Sequence, residues 1–223
     1  MYIPEKDTVL KEVLAAFDFP ATLVGAVRYG QGHINDTFCV LCQPQEGDCI
    51  RFILQGLSVA AFPRQDELME NFVGITSYLR EKVIANGGDP LRETLSLIKT
   101  RDGKNYYTDS TGKAWRLTPF IENTDCFQSA TSELFEASAR AFGRFQWLLA
   151  DYPAETLHES IVNFHNTEDR FAKFEAALSA DKMGRAKEVE AEVKFAMDRK
   201  ADCSVALPRN RTGIVRTKHQ DFL

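Results

Sequence analysis

The sequence predicts an α+β fold with two lobes, an antiparallel β-sheet lobe with one long helix and then a helical lobe. Short β-rich runs separated by turn residues fill the first half of the chain, and one amphipathic helix interrupts them. The second half instead carries apolar residues at three- and four-residue steps, the spacing of helices that bury one face. We therefore expect a sheet lobe over 1–122, a partial helical lobe over 123–203 and a divergent tail over 204–223.

The sheet lobe begins with a predicted helix over 8–17, which Pro20 ends because proline cannot continue a helix. Alternating apolar residues and intervening turn residues then predict three antiparallel strands, over 23–30, 36–42 and 49–55.

The long helix is predicted to start at Asp66, a residue type that caps helices, and to stop at Asn86-Gly87. Strand character returns in LSLIKT (95–100) and again, after two turns, in AWRLTPFI (114–121).

The helical lobe begins near Thr131 with a wide apolar face suited to burial, made by Phe135, Ala139, Phe142, Phe145 and Leu149. In a partial lobe that lacks the later helices, we expect Phe142, Phe145 and Phe171 to face water. A second helix follows, with Thr167 as its expected N-cap.

Composition excludes some classes of protein. The chain has 223 residues and a formal charge of -5, which disfavours general nucleic-acid binding because a phosphate backbone recruits basic surfaces. No run of about 18 apolar residues appears, and the N-terminal MYIPEKDTVLKEVL lacks the apolar centre of a signal peptide. We expect a cytoplasmic protein without a membrane or nucleic-acid partner.

The five cysteines are an odd number, which fits reduced thiols better than a disulfide framework. Cys39 and Cys42 form a CxxC pair, but a structural zinc ion needs four ligands, and no second pair follows at a suitable spacing. We expect these two residues to act as small apolar side chains of a strand.

The stretch VRYGQGHIND (27–36) contains Gly30 and Gly32, with Asn35 where a GxGxxG motif has its third glycine. Glycines let a backbone approach phosphates closely, but the same residues also suit an ordinary hairpin turn. The order of strand, glycine-rich turn, two strands and helix is that of kinase-like nucleotide sites. Local chemistry leaves both interpretations open.

The third strand departs from the kinase pattern. It reads RFILQ, so that Gln55 occupies the position of the lysine that meets the α- and β-phosphates. Gln55 can donate a hydrogen bond but has no charge. Arg51 lies on the same strand face but about 13 Å further back, and an edge-pairing role is an equal alternative for it.

Six motifs follow one another along the chain: YGQGHINDTF, RFILQ, LMENFVGITSYL, AWRLTPFIENT, AFGRFQWLL and NFHNTEDRFAKFEAAL. In these motifs, from about Val24 to about Cys203, the sequence resembles bacterial N-acetylhexosamine 1-kinases. These are anomeric sugar kinases of the aminoglycoside phosphotransferase and choline kinase superfamily. The resemblance implies a kinase-like two-lobed fold and transfer of the γ-phosphoryl group of ATP, with Mg2+, to the anomeric hydroxyl of GlcNAc or GalNAc.

The resemblance also implies roles for individual residues. The nucleotide loop would span Tyr29 to Asn35, with Gly30 and Gly32 over the phosphates and His33 near the nucleotide. Gln55 would stand at the lysine position, and the helix glutamate would be Glu70 or, alternatively, Glu67. The hinge that contacts adenine through backbone groups would be formed by Pro119, Phe120, Ile121 and Glu122. His165 is expected to be structural.

The tail leaves the family pattern. Members of the family continue with a stretch close to RVTHNDTKxNN and a metal-binding DxD, whereas this chain ends in ALPRNRTGIVRTKHQDFL. His219-Gln220-Asp221 is either a diverged catalytic loop, with Asp221 as the base, or a chance match in a frameshifted ending. We expect the chain as written to lack the metal-binding carboxylates. The alternatives to a sugar kinase are a non-catalytic nucleotide-binding module, an inert truncated product and another small-alcohol kinase of the choline or aminoglycoside type.

Overall fold

The computed structural model describes residues 8–30, 32–127, 129–164 and 166–205, and it confirms an α+β fold. Within these residues, five strands form one antiparallel sheet and five segments are α-helices. Contacts divide the chain into two compact units, Met1–Tyr152 and Pro153–Leu223.

The sheet has the strand order β1-β2-β3-β5-β4. Its strands are β1 (Thr22–Arg28), β2 (Asp36–Gln43), β3 (Ile50–Gly56), β4 (Tyr107–Thr108) and β5 (Ala114–Pro119). Every neighbouring pair runs antiparallel. The three strands predicted from the first half of the sequence are confirmed, including the hairpin across the glycine stretch.

The first unit also contains three helices, α1 (Thr8–Ala16), α2 (Gln65–Ala85) and α3 (Ser132–Leu148). It thus includes α3, which the sequence predicts as part of the helical lobe. The second unit has α4 (Thr167–Ala180), α5 (Glu190–Met197) and the short 3-10 helices Ala154–Thr156, Ala186–Val189 and Lys200–Ser204. No helix among the residues that the structure describes has the length and apolar character needed to cross a bilayer.

Alternation along the strands gives the sheet two different faces. Phe52 and Leu54 of β3 and Leu117 of β5 are buried in one core cluster with Leu10, Val13 and Leu14 of α1. A second cluster joins Ala114 of β5 to Leu68, Met69 and Phe72 of α2. The sheet therefore packs α1 on one face, and α2 packs beside the opposite face, which carries Ile53 and Gln55 of β3.

The strand predicted over 95–100 is wrong. This segment forms isolated bridges only, at Ile98 with Leu117 and at Thr100 with Phe17. The reason lies in the edge of β5, because β4 pairs with Ala114 and Trp115 and leaves room for one bridge further along. The β-rich composition of LSLIKT is satisfied by these bridges rather than by a full ladder.

The predicted start of α2 at Asp66 is also wrong. The helix begins at Gln65, and Arg64 occupies the N-cap position without a side-chain cap bond. The Gln65 side chain donates to the Leu57 carbonyl (3.1 Å) and accepts from the Ala114 N–H, which fixes the helix start to the sheet. Asp66 and Glu67 lie in the first turn, where a carboxylate is favourable. The predicted stop is confirmed at Asn86, the C-cap, with Gly87 at φ 72°.

The helices of the second half differ from the sequence prediction at one cap. Asn166, not Thr167, caps α4, and its Oδ1 atom accepts a hydrogen bond from the Asp169 N–H (2.9 Å). The apolar face of α3 is largely exposed, with Phe135 71% and Phe142 43% exposed, and the exposure of Phe142 agrees with the expectation for a partial helical lobe. Leu148 and Leu149, at the end of α3, are buried.

The cysteines are all free thiols, and Cys39 and Cys42 lie buried in β2. Burial raises the pKa of Cys39, and it raises that of Cys42 to about 11. Because zinc binds the thiolate, these shifts favour the apolar role predicted for both side chains.

Candidate functional site

A cavity of about 400 Å³, here named the sheet cavity, lies on the sheet face opposite α1. Two cross-strand pairs of β3 and β5 form its wall, Gln55 with Arg116 and Ile53 with Thr118. Its remaining walls come from the segments that follow β1 and β5 and from Leu95. Small-ligand pockets have volumes of roughly 300–1,000 Å³, so the sheet cavity has the size of a ligand site.

Five of the residues predicted to bind nucleotide come together in the sheet cavity: Tyr29, Gln55, Pro119, Phe120 and Ile121. They belong to three separate stretches of the sequence. Antiparallel pairing of β3 with β5 places Gln55 beside the residues at the end of β5. Tyr29, which directly follows β1, lines the same cavity. The rings of Tyr29 and Phe120 meet edge to face, with centroids 5.6 Å apart.

In the segment after β5, some backbone N–H and C=O groups already have hydrogen-bond partners. The Phe120 N–H donates to the Arg51 carbonyl (3.1 Å), and the Ile121 carbonyl accepts from Thr124 Oγ1 (3.1 Å). The Glu122 carbonyl accepts from Arg92 Nη1 (2.8 Å). Within the described part of the chain, the Phe120 carbonyl and the Ile121 N–H make no hydrogen bond. One acceptor and one donor are thus available beside the sheet cavity.

Glu122 does not line the sheet cavity with its side chain. Its carboxylate accepts two hydrogen bonds from Arg51, one of them 2.9 Å from Nε. The Arg51 guanidinium holds the pKa of Glu122 below its ordinary value. Arg51 thus has a carboxylate partner in the segment after β5. The same guanidinium lies 3.9 Å from the Phe120 ring centre.

The glycine turn, residues 29–35, connects β1 to β2. Gly30 has φ 79°, a left-handed conformation that favours glycine, whereas Gly32 has no such restriction. A Cβ atom built on either glycine meets no atom within 4 Å. Packing of the described residues therefore leaves space above the backbone at both positions.

The polar side chains of the glycine turn have different environments. Asn35 Oδ1 accepts a hydrogen bond from the Ser58 N–H (2.9 Å), which ties the turn to the segment after β3. His33 is exposed. Asn35, at the position of the third glycine of the GxGxxG motif, thus uses its side chain for a structural contact.

Gln55 and Arg116 form the most polar part of the sheet cavity. Gln55 Oε1 accepts from Arg116 Nη2 (2.7 Å) and Nε (3.1 Å), and Gln55 Nε2 donates to Thr37 Oγ1 (3.4 Å). The Arg116 guanidinium also lies 4.1 Å from the ring centre of Phe72 in α2. Burial lowers the pKa of Arg116 to about 10.

The two glutamates considered as the helix glutamate lie in the first part of α2. Glu67 pairs with Arg64 (2.8 Å), and the Glu70 side chain is exposed. Among the described residues, neither forms an ion pair with Arg116.

The described residues contain no group of three or more His, Cys, Asp or Glu side chains placed to hold a metal ion. Asp221 and His165 lie outside the described residues. The described residues thus offer no ready three-ligand group for the Mg2+ that the resemblance implies, and we assign no step to it.

No family model matches the chain.

The sequence analysis did not identify Arg116, the charged residue of the cavity wall. The signal for it was present, because AWRLTPFI places this arginine between Trp115 and Leu117, so alternation sends it to the face opposite those core residues. The pairing of β5 with β3, which decides its neighbour, is absent from the local pattern.

A separate polar cluster occupies the other face of the sheet beside α1, around a cavity of about 280 Å³. Asp36 pairs there with Lys113 and with Arg28 (2.6 Å), and these two cations, Lys113 foremost, lower its pKa. Asp109 is 5% exposed and accepts from Trp115 Nε1 (2.8 Å). Its partners indicate a structural role, since the donors to its carboxylate are Thr111 and Lys113 of the β4–β5 connection and Trp115 of β5.

Proposed function

We propose that this chain binds ATP in the sheet cavity and belongs to the kinase-like phosphotransferases. One observation carries the proposal: Tyr29, Gln55, Pro119, Phe120 and Ile121, selected as nucleotide contacts from the sequence, line a single cavity of ligand size. The three stretches that contain these residues, around positions 29, 55 and 120, are far apart in the sequence and meet only in the folded sheet.

The chemistry of the cavity supports an adenine nucleotide in two ways. Tyr29, Phe120 and Ile121 offer aromatic and aliphatic surface to a base. The Phe120 carbonyl and the Ile121 N–H, which make no hydrogen bond to the described residues, offer the acceptor and donor that an aminopurine edge requires. The open space over Gly30 and Gly32 permits a close approach of an anionic group to the turn backbone.

The reaction that we propose is the one implied by the resemblance. The anomeric hydroxyl of an N-acetylhexosamine attacks the γ-phosphorus of ATP, a new P–O bond forms, and the bond to ADP breaks. A carboxylate must accept the hydroxyl proton, and Asp221 is the sequence candidate for it. A kinase-like two-lobed arrangement would bring such a residue to the nucleotide.

Binding is tested first, by calorimetric titration with ATP, ADP and adenosine. A cavity-filling variant, Leu95→Trp, is expected to weaken all three by more than about tenfold, because Leu95 lines the sheet cavity and is partly exposed. Leu91→Trp in the same loop is the matched control, since Leu91 is exposed and lies outside the cavity lining. Absence of nucleotide binding by the unmodified chain would overturn the proposal.

A second measurement separates catalysis from simple binding. The chain is incubated with Mg-ATP and GlcNAc, GalNAc, choline or kanamycin, and phosphorylated product is followed by mass spectrometry. Product with the two hexosamines alone supports the sugar kinase. Tight ATP binding without any product would favour a non-catalytic nucleotide-binding module.

A further inference from the structure

Arg116 is an unusual cation within this chain. Among the described residues, two arginines are half-buried rather than exposed, Arg51 and Arg116. Arg51 has the carboxylate of Glu122 as its partner, whereas Arg116 has a neutral amide and an aromatic ring. No described carboxylate forms an ion pair with Arg116, and its Nη1 atom has no hydrogen-bond acceptor among the described residues.

This arrangement lowers the stability of the protein when no ligand is bound. Burial of a charge without a counter-ion opposes folding, and the lowered pKa of Arg116 is a consequence of the same burial. A pKa of about 10 still leaves the guanidinium charged at neutral pH. The sheet thus holds a positive charge toward a ligand-sized cavity, and an anionic ligand would supply the missing counter-charge.

The position of Arg116 explains the glutamine on β3. Gln55 is its cross-strand partner, and the Gln55 carboxamide oxygen accepts two of its N–H groups. A lysine at position 55 would instead place two like charges on directly opposed residues, which is destabilising. Gln55 is therefore suited to orient the guanidinium, and Thr37 orients Gln55 in turn.

We infer that Arg116 binds a phosphate group of the nucleotide in the sheet cavity and supplies the charge that the kinase lysine supplies elsewhere, with Gln55 as its positioning residue. The inference rests on the proposed function and deepens it. The guanidinium is a planar fork of donors, which matches phosphate oxygens, and its Nη1 atom remains available while Nε and Nη2 contact Gln55.

The test compares ligands that share adenine but differ in phosphate. Dissociation constants for adenosine, ADP and ATP are measured for the unmodified chain and for Arg116→Gln. Loss of one charge-assisted phosphate contact should weaken ATP and ADP about 10- to 100-fold and adenosine less than about threefold. Circular dichroism and thermal unfolding verify that the variant is folded.

Arg51→Gln is the matched control, because it removes the other half-buried arginine of the same sheet. It is expected to keep the ratio of adenosine to ATP affinity, since Arg51 contacts Phe120 and Glu122. The double variant Gln55→Lys with Arg116→Gln moves the charge back to β3. It should recover part of the ATP affinity lost in Arg116→Gln.

The outcomes distinguish the two ideas. If Arg116→Gln keeps the preference of the unmodified chain for ATP over adenosine, the role of Arg116 is refuted while nucleotide binding stands. If the unmodified chain binds adenosine and ATP equally, the same conclusion follows. If it binds no nucleotide at all, the proposed function fails and the inference fails with it.

Discussion

Arg51 and Glu122 join the third strand to the segment that follows β5. The guanidinium donates to both carboxylate oxygens and lies over the Phe120 ring, at 3.9 Å from its centre. The backbone adds a further link, from the Phe120 N–H to the Arg51 carbonyl. Phe120 therefore has a fixed place at the sheet cavity, and the Glu122 side chain takes part in holding it there through Arg51.

Arg51→Gln should weaken adenosine and ATP by the same factor, about three- to tenfold, because Phe120 loses the cation that covers its ring. The side chains of Arg51 and Glu122 are 38% and 49% exposed, so water screens their ion pair and the melting temperature should change little. Arg140→Gln is the control, since it removes an exposed ion pair of α3 with Glu136. A large loss of stability in Arg51→Gln alone would contradict this assignment.

Gly30 and Gly32 are expected to respond differently to alanine. Gly30→Ala forces a side chain into a left-handed conformation and should cost about 1–2 kcal/mol of unfolding free energy. Gly32→Ala meets no atom within 4 Å and should leave stability nearly unchanged. If phosphate approaches the glycine turn, Gly32→Ala will nevertheless weaken ATP more than adenosine. Urea unfolding measures the change in stability, and calorimetry measures the change in affinity for each ligand. If Gly32→Ala weakens ATP and adenosine by the same factor, the glycine turn is a plain hairpin.

Asp109→Asn should destabilise the first unit by about 1–3 kcal/mol at neutral pH. The Asp109 carboxylate accepts hydrogen bonds from Thr111, the Lys113 N–H and Trp115, and an asparagine NH2 group would face one of these donors. Urea unfolding followed by tryptophan fluorescence gives the change. An unaltered midpoint would show that the buried carboxylate is dispensable.

The same carboxylate predicts loss of stability in acid. Burial opposes ionisation of Asp109, but the hydrogen bonds from Thr111 and Trp115 outweigh it, so its pKa lies below the ordinary 3.8. The unfolded chain therefore binds this proton more readily than the folded chain. The stabilisation is complete above about pH 4 and is lost as the pH falls through the lower folded pKa. Trp115→Phe removes one donor and should reduce the acid-dependent loss; an unchanged pH profile would exclude Asp109 as its source.

The sheet was accessible to sequence analysis because its signals are local. Alternation and turn residues were sufficient to predict β1, β2 and β3, and Asn86-Gly87 predicted the end of α2. The errors arose where the local structure depends on contacts with residues far away in the sequence. The edge of β5 decides how 95–100 pairs, and a side chain reaching the sheet from Gln65 decides where α2 starts.

The candidate site was predictable in part. The kinase-like order of strands placed Gln55, whereas Tyr29 and the residues after β5 were named from the resemblance, and the structure brings these residues to one cavity. Arg116 was not found, because its place beside Gln55 depends on the β3–β5 register, and its lack of an ion pair with a carboxylate, among the described residues, depends on how the chain folds around it. Both are properties of the folded sheet.

A final prediction follows from the burial of that charge. Arg116→Met should raise the free energy of unfolding by about 1 kcal/mol or more, because a methionine of similar length fills the space beside Phe72 without burying a charge. The same variant should lose the preference for ATP over adenosine. Arg51→Met, which leaves Glu122 without its partner, should bring no gain in stability. A fall in stability of Arg116→Met would show that the guanidinium holds the sheet together, whereas a gain with loss of ATP preference is the pattern of a residue kept for binding at the expense of the fold.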